Sequence, residues 1–164
     1  MTTSAVAPAP AKAETQTQRR AHSLEWLEHS KGRLIRNTTQ ANEMRVMVDE
    51  VSAPATAGER AAAAVTAISF YFIGEGIPAL QDREAAIWLT ELKDFPAWAI
   101  DHAVSAWVGR ETPAKKRCRK PLPGDIADLA AQAMASVYQC KTKLDWWDKY
   151  QGAYPSYIER TAAR

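Results

Sequence analysis

The chain has 164 residues, of which 46% are hydrophobic and 24% charged, and its net charge is +2. This size and composition fit one globular domain with tails. The two cysteines, Cys118 and Cys140, are too few and too far apart for a disulfide framework or a CxxC metal site. We therefore expect both to be reduced thiols in a cytoplasmic protein.

The first 20 residues, MTTSAVAPAPAKAETQTQRR, are rich in Ala, Pro, Thr and Gln. They lack the apolar stretch of a signal peptide and cannot bury enough surface to become ordered. We predict a disordered arm over 1–20 and a helical domain over 21–150. The segment 52–58, SAPATAG, resembles a linker and marks a sub-boundary within that domain. Residues 151–164 form an aromatic C-terminal tail.

Two helices are predicted before this linker. Ser23 is placed at the N-cap of a short helix that carries Leu24, Trp26 and Leu27. A second helix over 38–51 would present an apolar face made of Met44, Met47 and Val48.

The most apolar stretch, 61–73, follows the linker. A membrane span needs about 20 residues, so this shorter stretch favours a buried core helix. Thr56 and Glu59 have the spacing of a capping box directly before it. The pattern predicts a helix over about 57–73 that ends at Gly74 and Gly76.

Three further helices are predicted. Asp82 is expected to cap a helix whose inner face carries Ala85, Trp88, Leu89 and Leu92. Asp94 is expected to cap the next helix, which ends near Gly109. The inner face of the latter would carry Ile100, Ala103, Val104 and Trp107. Pro123 suits the first turn of a last helix, which an apolar stripe extends to about residue 149. Strand patterns are nearly absent, so the predicted fold class is all-α, a small irregular helical bundle.

The connection between these last two helices is strongly basic. Residues 110–120 have a net charge of +5, whereas the rest of the chain is slightly negative. Concentrated positive charge before a helix N-terminus suits phosphate groups. The nucleic-acid-binding candidates are Arg110, Lys115, Lys116, Arg117, Arg119 and Lys120. The alternative is a solvated surface loop. A connection of about a dozen residues is too long for a helix-turn-helix motif.

The C-terminal region is rich in aromatic residues with interleaved charges. Such residues stack on bases or anchor a protein interface. Trp147 continues the apolar stripe and is expected to close the core instead. The partner-binding candidates are Trp146, Tyr150, Tyr154 and Tyr157.

Catalytic and cofactor motifs are missing from the sequence. The three histidines lack acids or cysteines at ligand spacing, and GEGIP, 74–78, lacks the lysine and the preceding strand of a phosphate-binding loop. No serine lies in a GxSxG context. We therefore expect a protein that is not an enzyme and that needs no metal or cofactor.

The order of motifs over 70–130 resembles a known family. The Phe70-Tyr71 pair is followed by Trp88, by the segment Asp94-Phe95-Pro96-Ala97-Trp98, and then by Pro121-Leu122-Pro123 before an Ile/Leu helix. This order is similar to small all-α replication proteins of bacteriophages and prophages, in particular helicase loaders and replicative-helicase inhibitors. The resemblance implies a helical domain that engages a replicative helicase or an initiator.

The expected function is therefore a non-enzymatic accessory of phage DNA replication in the bacterial cytoplasm. It would bind nucleic acid without strong sequence preference and a protein partner, with a second copy of the chain as an alternative partner. The alternative function is a phage inhibitor of a host nucleic-acid machine or defence system.

Overall fold

The computed structural model describes residues 15–69, 71, 82–109 and 119–150. Within these ranges the chain is helical, without a strand, which confirms the predicted all-α bundle. The seven helices are α1 (Gln16–Ser30), α2 (Thr38–Ser52), α3 (Ala57–Ser69), α4 (Asp82–Glu91), α5 (Ala97–Val108), α6 (Pro123–Ala133) and α7 (Ala135–Tyr150).

The first helix begins earlier than the sequence pattern predicts. Thr15 is the N-cap of α1, and its hydroxyl and the Gln18 side chain form a capping box. Ser23 is therefore not a cap: it is buried, and its hydroxyl donates to Glu50 of α2 at 2.8 Å. The arm boundary predicted at residue 20 is also too late, because 16–20 belong to α1, while 1–14 lie outside the described residues.

The capping box predicted for α3 is confirmed. The Glu59 carboxylate accepts hydrogen bonds from the Thr56 backbone N–H at 2.8 Å and from its hydroxyl at 2.9 Å. The Glu59 N–H donates in turn to the Thr56 hydroxyl at 3.2 Å. Four residues of this helix, Ala63, Ala64, Ala67 and Ile68, are buried, as expected for a core helix. The predicted end at Gly74 and Gly76 lies outside the described residues.

The cap predicted for α5 is wrong. Pro96, not Asp94, is the N-cap residue, and its carbonyl accepts the N–H groups of Ala99 and Ile100. A helix that began at Asp94 would need Phe95 in helical conformation directly before a proline, which sterics disfavour. The predicted inner face of α5 is correct, because Ile100, Ala103, Val104 and Trp107 are buried, and Gly109 ends the helix.

The last predicted helix is divided at Met134 into α6 and α7. Its apolar stripe continues across the division, from Ile126 and Ala130 to Leu144 and Trp147. The two halves cover different neighbours, since α6 packs on α4 and α5 whereas α7 packs on α1 and α2. One straight helix could not follow both surfaces, which accounts for the break.

The helices form two groups around one continuous apolar core. One group is α1, α2 and α7, and the other is α3 to α6. The linker-like segment 52–58 is held between them, because the Ala55 N–H donates to the Phe95 carbonyl at 2.9 Å. The Trp98 indole donates to the Val51 carbonyl at 2.7 Å. The buried core cluster includes residues from both sides of the predicted sub-boundary.

Tryptophans occupy the centre of this core. Trp88 and Trp107 are each 1% exposed, and Leu129 packs against the same cluster while partly buried. Trp147 is also buried, so it closes the core as the stripe predicted. In the described part of the chain, no helix has the combination of length and apolar character that crossing a bilayer requires.

Candidate nucleic-acid interface and partner surface

The described end of the basic connection is fixed to the bundle by ion pairs. The Arg119 guanidinium donates to both carboxylate oxygens of Asp125, at 2.7 and 2.8 Å. The Lys120 ammonium donates to Glu84 of α4 at 2.7 Å. The connection therefore returns to the bundle at a defined place, beside the start of α6 and the face of α4.

Arg119 also lies over the core. Its guanidinium carbon is 5.6 Å from the ring centroid of Trp107, whose indole donates to the Tyr71 hydroxyl at 2.7 Å. The paired hydrogen bonds to Asp125 raise the pKa of Arg119 above its usual range. A guanidinium held by a bidentate carboxylate and an aromatic face is less available to a phosphate than a solvated one.

The N-terminus of α6 already has an acidic cap. The Asp125 carboxylate accepts the Leu122 backbone N–H at 2.8 Å while it binds Arg119. Because this carboxylate already satisfies a free N–H and the local helix dipole, the α6 terminus offers less to a phosphate than the sequence suggested. The sequence signal for this arrangement was Asp125 two residues after Pro123, in the first turn of a helix.

The other four cations, Arg110, Lys115, Lys116 and Arg117, lie outside the described residues. Of the six predicted nucleic-acid-binding residues, the structure thus brings Arg119 and Lys120 to one edge of the bundle, each with a carboxylate partner. Sequence reasoning missed the partner role of Glu84, because it lies 36 positions from Lys120 and leaves no local pattern. It also missed Asp125, which lies only six residues after Arg119.

Two of the predicted partner-binding residues form an exposed aromatic pair on α7. Trp146 is 48% exposed and Tyr150 38%, with ring centroids 5.0 Å apart and planes tilted by 44°. The Lys149 ammonium lies 5.2 Å from the Tyr150 centroid, and the neighbouring Asp148 binds Arg45 of α2 at 2.7 Å. Tyr154 and Tyr157 lie outside the described residues.

The described residues offer little to nucleophilic or metal chemistry. They contain no group of three His, Cys, Asp or Glu side chains that could hold a metal ion. Cys140 is a free thiol with no exposed surface, and burial raises its pKa, which disfavours the reactive thiolate. Cys118 lies outside the described residues.

Comparisons of the chain with protein-family models, with curated proteins and with solved structures found no match.

Proposed function

We propose that this protein is a non-enzymatic accessory of DNA replication that binds nucleic acid through the 110–120 connection and a protein partner through its aromatic C-terminal region. The observation that carries the proposal is the net charge of +5 over these 11 residues in a chain that is otherwise slightly negative. Its likeness to phage helicase loaders supports a replicative helicase or an initiator as the partner.

The ion pairs at the end of the connection refine the proposed interface. Arg119 and Lys120 are each compensated by a carboxylate, so they serve to hold the connection at the bundle edge. The phosphate contacts are then assigned to the other four cations of the connection, Arg110, Lys115, Lys116 and Arg117. Contacts of this kind carry no sequence preference, because every nucleotide has the same phosphate.

The test is an electrophoretic shift of a short DNA duplex and of a single strand at several salt concentrations. The triple variant K115S/K116S/R117S should bind both more weakly, and its log–log salt slope on duplex should fall by about 2.7, for three lost phosphate contacts. The matched control is R83S/K93S/K141S, which removes three exposed cations from α4, the turn after it and α7. Equal loss of affinity in both triple variants would mean that overall charge, not the connection, is responsible.

A further inference from the structure

A groove lies where α1 turns into α2. It is bounded by the end of α1, the 31–37 turn and the first half of α2, and its volume is about 740 Å³. Sites for small ligands commonly have volumes of about 300–1,000 Å³. Its apolar surface comes from half-buried Trp26, exposed Leu34 and buried Ile35 and Met44.

Cations dominate this groove. Arg33 and Arg36 line it, both are exposed, and neither forms an ion pair with another described residue. Lys31 in the same turn differs, since it is paired with Glu28. No Asp or Glu occurs over 29–42 in the sequence, and Glu43 is the acid among the lining residues. The groove is therefore lined by one carboxylate and by two guanidinium groups that have no ion-pair partner among the described residues.

The rim of the groove is held in place from both sides. The Lys143 ammonium of α7 donates to the carbonyls of Ser30, Lys31 and Arg33. On the other side, the Arg36 N–H donates to the Gln40 side chain at 2.8 Å, and Asn37 caps α2. The backbone that carries both arginines is thus fixed before any ligand arrives, which lowers the entropy lost on binding.

We propose that this groove binds an unpaired segment of nucleic acid, with one base against Trp26 and the flanking phosphates on Arg33 and Arg36. An aromatic face beside cations is the usual arrangement for single strands, and guanidinium groups match phosphate oxygens in geometry. Glu43 fits the same ligand, because a carboxylate accepts the amino group of cytosine.

This inference rests on the proposed function and deepens it, since it names a single strand as the ligand and adds a second contact region. A protein that acts where a duplex is being opened needs one site for phosphates of either form and another for unpaired bases. The 110–120 connection would serve the first purpose and the groove the second.

The test is fluorescence anisotropy of a labelled 12-nucleotide oligo-dC and of a duplex of equal length, with the full chain. R33S/R36S should bind oligo-dC about tenfold more weakly, with the salt slope reduced by about 1.4, while duplex affinity stays within about twofold. W26L should also weaken oligo-dC binding about tenfold, through lost stacking and without a change of slope. The matched controls are R83S/K93S for charge and Y138L for the loss of an exposed aromatic side chain outside the groove.

Each outcome decides between the inference and the function on which it rests. If the unmodified chain binds neither oligonucleotide, the proposed function is wrong and the groove assignment falls with it. If it binds both and R33S/R36S retains its affinity for oligo-dC, the groove assignment alone is wrong. If poly-L-glutamate binds the groove with the same sensitivity to W26L as oligo-dC, the groove accepts acidic chains in general and the assignment to nucleic acid is overturned.

Discussion

Trp107 connects the core with the candidate interface. Its ring is 1% exposed, its indole donates to Tyr71, and Arg119 lies over its face. We expect W107A to lower the free energy of unfolding by about 3–5 kcal/mol, because it leaves a large cavity. The melting midpoint should fall by roughly 6–20 °C for a chain of this size. W146A is the control, since it removes a tryptophan that is 48% exposed and should change the midpoint little.

Asp125 restrains Arg119 and compensates its charge. We expect D125N to strengthen nucleic-acid binding and to steepen its salt dependence, because the change frees Arg119 and adds one positive charge to the interface. Affinities at two salt concentrations measure this effect. The control is D128N, which removes the same charge from an exposed position in the second turn of α6. An equal gain in D128N would contradict a specific role for the Arg119 pair.

At the scale of the single helix, α3 depends on its capping box. The hydrogen bonds from Thr56 hold the pKa of Glu59 below its ordinary value of 4.5. A carboxylate with a lowered pKa in the folded state stabilises the fold above about pH 4.5, and this contribution is lost as the pH falls through the folded value. We expect E59Q to reduce the fall in melting midpoint between pH 6 and pH 3. Glutamine can keep the box geometry, so the effect isolates the charge.

Thr56 gives an independent check on the same helix end. T56A removes the N-cap hydroxyl and should lower the free energy of unfolding by about 1 kcal/mol at neutral pH. The melting midpoints of T56A and E59Q are compared with that of the unmodified chain between pH 3 and pH 6. A difference between E59Q and the unmodified chain that is the same at pH 3 and pH 6 would show that the Glu59 charge does not act on stability.

At the scale of the whole molecule, the described core draws on residues from α1 to α7. Leu144 and Trp147 of α7 belong to this core. Each of the seven helices packs against at least two others. We expect deletion of 152–164 to leave the helical circular dichroism and the melting midpoint nearly unchanged. The same deletion should abolish capture of a purified replicative helicase, because interfaces favour aromatic anchors and the deleted residues include Tyr154 and Tyr157.

W146A/Y150A tests the described part of the same surface within the intact chain. It should weaken helicase capture, whereas Y138A, which alters an exposed tyrosine earlier on α7, should not. A lower melting midpoint after the tail deletion would instead mean that the tail packs on the bundle. If both the deletion and the double variant still capture the helicase as the unmodified chain does, the partner surface lies in another part of the molecule.

Local patterns in the sequence predicted most of the fold. The all-α class, the buried faces of α2 and α5, the Thr56–Glu59 box and the burial of Trp147 depend on spacings within a few residues, which the sequence displays directly. The two predictions of helix caps that were wrong concern the starts of α1 and α5. Ser23 and Asp94 are good cap residues by type, but Ser23 has a partner on another helix, and Pro96 competes with Asp94 for the start of α5.

Only the tertiary structure decided what surrounds the charged and aromatic side chains. The sequence determined that six cations occur within 11 residues, but not that Arg119 and Lys120 are paired with Asp125 and Glu84. It also contained Trp26, Arg33 and Arg36 without indicating that they line one groove. Helix periodicity follows from spacing within one helix, whereas ion pairs and grooves depend on how helices and turns pack against one another, which spacing alone does not specify.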